Sequence, residues 1–143
     1  MFTKQNLVAT LVAAVAMFIL GYLIWGMATM SFFQEHTFEG LGKGEDEMDM
    51  LSIFLGNLFG AFALCTLYRK WARGHHGAGE GFQFGAWIGF LIGVGMGLVW
   101  YGTSKMMDGT GYAVEAVLEI VYYGIIGVII SLVYKALAKK DAA

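Results

Sequence analysis

The sequence contains no proline, a single cysteine and few charged residues, and each shortage restricts the kind of protein it encodes. Charged residues make up 14% of the 143 positions and hydrophobic residues 58%, which leaves too little polar surface for a soluble domain. The absence of proline removes the commonest cause of a helix kink. Cys65 has no intrachain partner for a disulfide, and its apolar surroundings in the sequence indicate a buried, inert thiol.

Four apolar runs are long enough, or nearly so, to cross a hydrocarbon core of about 30 Å as helices. They are predicted at about residues 7–33, 50–68, 82–101 and 113–137. Their short connections leave no room for a second domain, so residues 1–143 are interpreted as one all-α integral membrane domain, a bundle of four transmembrane helices. The first run is too long for the core of a signal peptide and is interpreted as an uncleaved span.

The basic residues are concentrated in three segments that four spans place on one side of the membrane. These are the N-terminal segment, the middle loop and the C-terminal tail, with Lys4, Arg69, Lys70, Arg73, Lys135, Lys139 and Lys140. The positive-inside rule makes that side cytoplasmic and both termini cytoplasmic. Tyr68 and Trp71 are expected at the cytoplasmic interface of the second span as members of an aromatic belt, and Tyr134 is expected to anchor the cytoplasmic end of the fourth span.

Glycine recurs at every fourth position through the third span. An interior glycine costs roughly 1 kcal/mol relative to alanine in a helix in water, but in lipid the backbone has no other hydrogen-bond partner and the helix still forms. A stripe without side chains lets a neighbouring helix approach closely, which predicts a glycine-zipper third helix. The predicted packing positions are Gly81, Gly85, Gly89, Gly93 and Gly97, with Ser52, Gly56 and Gly60 in the second span and Gly124 and Gly127 in the fourth.

Two carboxyl groups near the start of the fourth span are the strongest candidates for a site. Glu115 and Glu119 are four residues apart and share one helix face. Glu119 lies about six residues into the span, roughly 9 Å at 1.5 Å per residue, where an ionisable side chain is costly and by default functional. The same reckoning puts Trp25 and Asn57 at a similar depth in the outer leaflet.

These depths predict an outward-facing polar pocket made by three helices. Its members are Trp25, Asn57, Glu119 and one of Tyr122 and Tyr123, with Glu115 at the mouth and Lys105 as a candidate counter-ion. In the alternative interpretation, Glu119 bonds neighbouring side chains inside a static bundle.

The sequence offers little for metal, cofactor or nucleic-acid chemistry. His36 and the acidic run 45–47 fit no established calcium loop, and acidic residues at this point suit the start of the second helix. The adjacent His75 and His76 point apart on a helix. There is no HExxH, CxxC or phosphate-loop motif, and the basic loop is short. We therefore expect no metal, no cofactor, no nucleic-acid partner and no enzymatic activity.

Two short segments carry a resemblance to other proteins. Residues 21–26 (GYLIWG) and 86–90 (AWIGF) resemble a family of small four-span bacterial membrane proteins known only as a domain of unknown function. The glycine-bearing last span points the same way. The resemblance implies a homologous four-helix fold in the bacterial cytoplasmic (inner) membrane, and it implies no activity.

Two functions remain open from the sequence. The small-residue faces outnumber those that one minimal bundle needs, which favours a structural or accessory protein that forms a homo-oligomer or joins a larger membrane complex. The alternative is a small proton-coupled transporter or channel that uses Glu119. The sequence shows no inverted repeat and no broken helix, features that many carriers have.

Overall fold

The computed structural model describes residues 2–38 and 47–141. Within these ranges four helices are long and apolar enough to cross a membrane: Lys4–Ala28, Met50–Ala72, Ala78–Thr103 and Gly109–Ala138. They are the first to fourth spans below, and the last helix continues to Asp141. The prediction of an all-helical protein with four membrane-length helices is confirmed. Part of the predicted acidic loop, residues 39–46, lies outside the described residues.

The first span is shorter than predicted because the helix breaks at Thr29. The backbone of Thr29 leaves the helical region at φ −118° and ψ 8°, and its hydroxyl donates to the carbonyl oxygen of Ile24 at 2.8 Å. A separate short helix, Met30–His36, follows. Residues 30–33 of the predicted span therefore belong to a different element that begins the first connection.

Two spans contain π-helical segments, which the expectation of unbroken helices missed. The first span is α-helical over Lys4–Gly21 and π-helical over Tyr22–Ala28. The third is α-helical over Ala78–Gly89, π-helical over Phe90–Met96 and α-helical again over Gly97–Thr103. We call these the first and second π segments. π-helical turns are rare in proteins as a whole, and those that occur are often found at functional sites.

The core lies toward the end of the bundle that carries the start of the first span, the last described turns of the fourth and the connection between the second and third spans, here called the basic end. Buried side chains from the first, second and fourth spans meet there, among them Ala13, Cys65 and Ile126, each fully buried. At the opposite end the second span is exposed from Met50 to Gly56. The helices thus pack closely at the basic end and leave space between them at the other.

The third span packs against the fourth almost backbone to backbone. A Cβ atom added to Gly85 would collide with the carbonyl oxygen of Tyr123, and one added to Gly89 would collide with the carbonyl oxygen of Glu119. Only a residue without a side chain permits this separation. The two helices could not keep their present distance if either glycine carried a methyl group.

The same contact extends in both directions along the pair, although not to its last predicted position. Gly81 and Gly127 face each other, and a Cβ atom on either would overlap the carbonyl oxygen of the other. A Cβ atom on Gly93 would lie 2.7 Å from the Cα atom of Ala116. Gly97 is different, since its nearest neighbour would be a ring carbon of Tyr112 at 4.0 Å.

The small residues of the second span do not pack against the third span. A Cβ atom added to Gly56 would have no neighbour within 4 Å, and one added to Gly60 would meet only the Cε atom of Met17 at 3.5 Å. Ser52 instead takes part in the helix cap, where Asp49 accepts hydrogen bonds from the backbone N–H groups of Leu51 and Ser52. This stripe is therefore free of close helix contacts within the described part of the chain.

A buried polar network joins three spans at the basic end. The hydroxyl of Tyr134 donates to Oδ1 of Asn6 at 2.6 Å, and Nδ2 of Asn6 donates to the hydroxyl of Thr66 at 3.2 Å. Tyr134 is 2% exposed and Tyr68 0%, so the prediction that both lie at the interface is wrong. Asn6, a polar residue at the start of an apolar run, was the available sequence signal for such a network.

His76 closes the basic end over this network. Its ring stacks on that of Tyr134, with centroids 5.4 Å apart and planes 19° apart, and its Nδ1 lies 3.3 Å from Oη of Tyr68. Burial lowers the pKa of His76, and the neighbouring His75 lowers it further. The position of His76 is thus explained by packing on tyrosines.

The opposite end is held by contacts between the first and third connections. Nδ1 of His36 lies 2.7 Å from Oδ2 of Asp108, and the backbone N–H of Asp108 donates to the carbonyl oxygen of His36 at 3.0 Å. Thr37 and Met107 form an isolated antiparallel bridge beside them. Among the residues that the structure describes, no three His, Cys, Asp or Glu side chains are grouped to hold a metal ion.

The pair between His36 and Asp108 is expected to make this end sensitive to acid. The hydrogen bond from His36 is the main cause that lowers the pKa of Asp108 below its ordinary value of 3.8. A carboxyl group with a lowered pKa stabilises the fold above its unfolded pKa and loses that effect as pH falls through its folded pKa. The stability difference between the wild type and Asp108→Asn should therefore shrink below pH 3.8.

Denaturation in detergent at neutral and acidic pH measures this difference. Glu35→Gln is a suitable control, because Glu35 is exposed on the short helix nearby. A difference between the wild type and Asp108→Asn that does not change with pH would show that the charge of Asp108 does not stabilise the connection.

Candidate functional site

A cavity of about 670 Å³ lies between the first, second and fourth spans, toward the end opposite the basic end. It brings together every predicted pocket residue except Lys105. These residues are Trp25, Asn57, Glu115, Glu119, Tyr122 and Tyr123. Most of the remaining lining is apolar or glycine, with Met17, Phe18, Gly21 and Gly26 from the first span and Ile53, Gly56 and Gly60 from the second. We call it the large cavity.

Trp25 and Glu115 form the best-defined polar contact in the large cavity. Nε1 of Trp25 donates to Oε2 of Glu115 at 2.7 Å. The Trp25 ring also packs edge-on against Tyr122, with centroids 5.1 Å apart and an interplanar angle of 81°. The first π segment carries Trp25, so its wider turn helps to set the direction of the indole. Glu115 is therefore a bonded member of the site, although it was expected only at the mouth.

Tyr122 fixes one wall of the large cavity. Its hydroxyl donates to the carbonyl oxygen of Met17 at 3.0 Å, and the side chain is 5% exposed. The ring of Tyr123 lies against it, with centroids 5.0 Å apart at 79°. The fourth span is thus tied to the first at the depth of the two carboxyl groups.

Glu119 is the unusual residue of the site. Its Oε2 atom is buried and has no hydrogen-bond partner among the described residues. Buried side-chain oxygen atoms are nearly always hydrogen-bonded, and an exception calls for an explanation such as a function or an absent ion. The predicted counter-ion does not supply one, because Lys105 is exposed and lines neither of the two cavities described here.

A second cavity, of about 390 Å³, borders the same carboxyl groups from the side of the third span. The sequence did not predict it. Besides Glu115 and Glu119 its lining includes Ile92, Gly93 and Met96 of the second π segment, together with Gly97, Trp100, Met106, Met107, Tyr112 and Thr37. The two carboxyl groups thus stand between two cavities, and each cavity is bordered by one π segment.

Asn57 contributes less to the site than its depth predicted. Its Nδ2 atom donates to the carbonyl oxygen of Ile53 at 2.9 Å, one turn earlier in the same helix. The amide N–H is therefore partly satisfied by its own span. Asn57 lines the large cavity, but Trp25 is the residue that bonds a carboxyl group there.

The charged side chains that line the large cavity are all acidic. Among the described residues that line it, Glu115 and Glu119 are the acidic ones, Tyr22, Tyr122 and Tyr123 carry phenols, and none is a lysine, arginine or histidine. A site of this composition attracts positive charge and can exchange protons at its carboxyl groups. It offers no set of ligands for a metal ion within the described part of the chain.

Comparison with known proteins adds no assignment. No family model, curated protein or solved structure matches this chain. The structure therefore defines the protein by class alone, as an all-helical protein with four helices able to cross a membrane. What it does must be argued from the geometry of the two cavities and their shared carboxyl groups.

Proposed function

We propose that this protein is a small multi-pass membrane protein that binds an ion or small ligand at Glu119 and acts as a proton-coupled transporter or channel. The buried Oε2 atom of Glu119, unpartnered among the described residues, is the observation that carries the proposal. A carboxyl group with a purely structural role would be expected to hold a partner. Because Glu119 lines both cavities, a transported ion or ligand supplies a partner for its carboxyl group when it is bound, and a proton can replace it when it leaves.

The position of Glu119 between two cavities supports a pathway better than a closed pocket. Glu115 and Glu119 line both the large cavity and the cavity on the third-span side. The π segments Tyr22–Ala28 and Phe90–Met96 border them. Locally altered helix next to a binding site is a recurrent feature of carriers, in which it lines a cavity instead of facing lipid.

The proposed orientation follows from the charges at the basic end. Lys4, Arg69, Lys70 and Arg73 belong to that end, and the positive-inside rule assigns them to the cytoplasm. Both termini are then cytoplasmic, and the large cavity belongs to the outer leaflet. We further propose the bacterial cytoplasmic membrane as the location, which follows from the family that residues 21–26 and 86–90 resemble.

A structural or accessory role is the second candidate, and one observation favours it. The close contact of the third and fourth spans supports a glycine zipper that is used inside one chain and leaves the outer face of the second span without a partner helix in the described part of the chain. Leu51, Leu55 and Phe59 lie four residues apart on one face of the second span, and all three are exposed and line neither cavity. This face of the second span is the surface that we propose for contact with a second copy or with a subunit of a larger complex.

Flux in proteoliposomes separates the two candidates. The wild type should let an imposed pH gradient decay faster than protein-free vesicles, and Glu119→Gln should remove most of that effect because the neutral amide cannot exchange a proton. Glu35→Gln, on an exposed position outside both cavities, should behave as the wild type.

The opposite results favour the accessory role. Equal decay with Glu119→Gln and the wild type would contradict the transport proposal. Purification at a fixed stoichiometry with other membrane proteins, without flux, would support a subunit of a larger assembly.

A further inference from the structure

We infer that the large cavity binds a hydrophobic organic cation, such as a quaternary ammonium or phosphonium ion that carries aromatic groups. The inference rests on the proposed function in taking Glu119 as a binding residue, and it adds the chemical class of the ligand. Charge, aromatic lining and size each point to this class.

The charge of the cavity excludes most other ligands. Glu115 and Glu119 lie on one wall, and no basic side chain is present among the described lining residues. One oxygen of Glu115 already accepts the Trp25 N–H at 2.7 Å, whereas Oε2 of Glu119 is free of partners in the described part of the chain. An anion would meet repulsion here, whereas a cation would balance the negative charge of Glu119.

The aromatic residues favour an organic cation over a hydrated inorganic one. Trp25 and Tyr122 contact each other edge-on at 5.1 Å, and both line the cavity together with Tyr123. Aromatic rings attract cations through their electron-rich faces, most strongly when water is excluded. Tyr122 is buried and its hydroxyl is used by the carbonyl oxygen of Met17, so the partly exposed rings of Trp25 and Tyr123 are the ones available to a ligand.

The size of the cavity also argues against a bare ion as its only occupant. A volume of about 670 Å³ falls within the range of roughly 300–1,000 Å³ that is typical of sites for drug-sized molecules. Glycines help to leave this space open: an added Cβ atom would have no neighbour within 4 Å at Gly56 and would meet only Met17, at 3.5 Å, at Gly60. A larger side chain at Gly56 would extend into open space without a collision.

Tetraphenylphosphonium is the probe for this site, and tetraphenylborate is its anionic counterpart of the same shape. Titration calorimetry of the purified protein in detergent should detect the phosphonium and fail to detect the borate. Glu119→Gln should weaken phosphonium binding at least tenfold, a loss of about 1.4 kcal/mol, because the ring contacts remain while the charge is lost.

A larger side chain placed inside the cavity provides a second, independent test of where the phosphonium binds. Gly56→Leu should weaken phosphonium binding by steric exclusion, while Gly95→Leu should not. Gly95 also has no close neighbour outside its own helix, since the nearest atom to an added Cβ is the Leu91 Cδ1 at 3.7 Å, and it lines neither cavity. Both variants are therefore expected to fold.

The outcomes separate this inference from the proposed function. Equal binding of the borate and the phosphonium, or phosphonium binding that neither Glu119→Gln nor Gly56→Leu weakens, would overturn the inference. Absence of phosphonium binding together with Glu119-dependent proton flux would also overturn it and leave the proposed function intact. Selective phosphonium binding without any flux would support the ligand class and contradict transport.

Discussion

Replacing Gly85 by leucine is expected to prevent the third span from packing on the fourth, with the largest loss of stability of any substitution in the third span. A single added Cβ atom at Gly85 would already overlap the carbonyl oxygen of Tyr123. That oxygen belongs to a helix backbone and cannot move aside as a flexible side chain would. Overpacking of a close contact typically lowers the free energy of unfolding by about 1–3 kcal/mol. We expect a loss of this size for Gly85→Ala and a larger loss for Gly85→Leu.

Gly95 supplies the matched control in the same span. An added Cβ atom there would meet nothing nearer than Leu91 of its own helix, at 3.7 Å. Both replacements remove a glycine from the interior of the same span, Gly85 from its α-helical part and Gly95 from the second π segment, and the contact with the fourth span is present at Gly85 alone of the two. Reversible unfolding in mixed detergent micelles measures both variants. If Gly85→Leu proved as stable as Gly95→Leu, the close approach of the third and fourth spans would be wrong.

The packing of this helix pair could be anticipated from the sequence, because it depends on a repeat that is local in the chain. Glycine at every fourth residue puts Gly81, Gly85, Gly89 and Gly93 on one face whatever surrounds them. Which helix covers that face is a tertiary property. The second span, with Ser52, Gly56 and Gly60, was as good a candidate by composition, yet the close contacts of the third span are made with the fourth.

The sequence allowed us to predict which residues come together in the candidate site better than the geometry of that site. Depth along a straight helix requires only the rise per residue, and it placed Trp25, Asn57 and Glu119 at one level, with Glu115 at the mouth of the pocket. The π segment that carries Trp25 gives no local signal, since a wider turn is stabilised by packing around it. The hydrogen bond between Trp25 and Glu115 and the cavity on the third-span side therefore could not be predicted.

Tyr68 and Tyr134 show where a compositional rule fails. Tyrosine near the end of a span usually belongs to the interfacial belt, and both residues fit that pattern by position. Both are buried instead, because the Tyr134 hydroxyl reaches Oδ1 of Asn6 at 2.6 Å and the Tyr68 ring packs on Phe84 at 5.4 Å. A buried polar partner from another span changes the preferred environment of a tyrosine, and a single-span pattern contains no information on that partner.

Replacing Glu119 by methionine is expected to stabilise the protein, which is the reverse of the usual effect of changing a partly buried residue. The buried Oε2 atom of Glu119 has no hydrogen-bond partner among the described residues, and an unsatisfied buried polar atom costs about 1–3 kcal/mol. Methionine is of similar length and flexible enough to fill an irregular space. The free energy of unfolding in detergent should therefore rise by about that amount.

Glu115→Met is the matched control, one helical turn away on the same face, and its effect should have the opposite sign. The substitution removes the acceptor of the Trp25 N–H, and leaving this partly buried donor without a partner costs up to about 1–3 kcal/mol. A gain at Glu119 beside a loss at Glu115 would mean that the chain keeps a destabilising carboxyl group, as functional sites commonly do at the expense of stability. A loss of stability with Glu119→Met would instead show that this carboxyl group holds the bundle together, and the static interpretation of Glu119 would then replace the transport proposal.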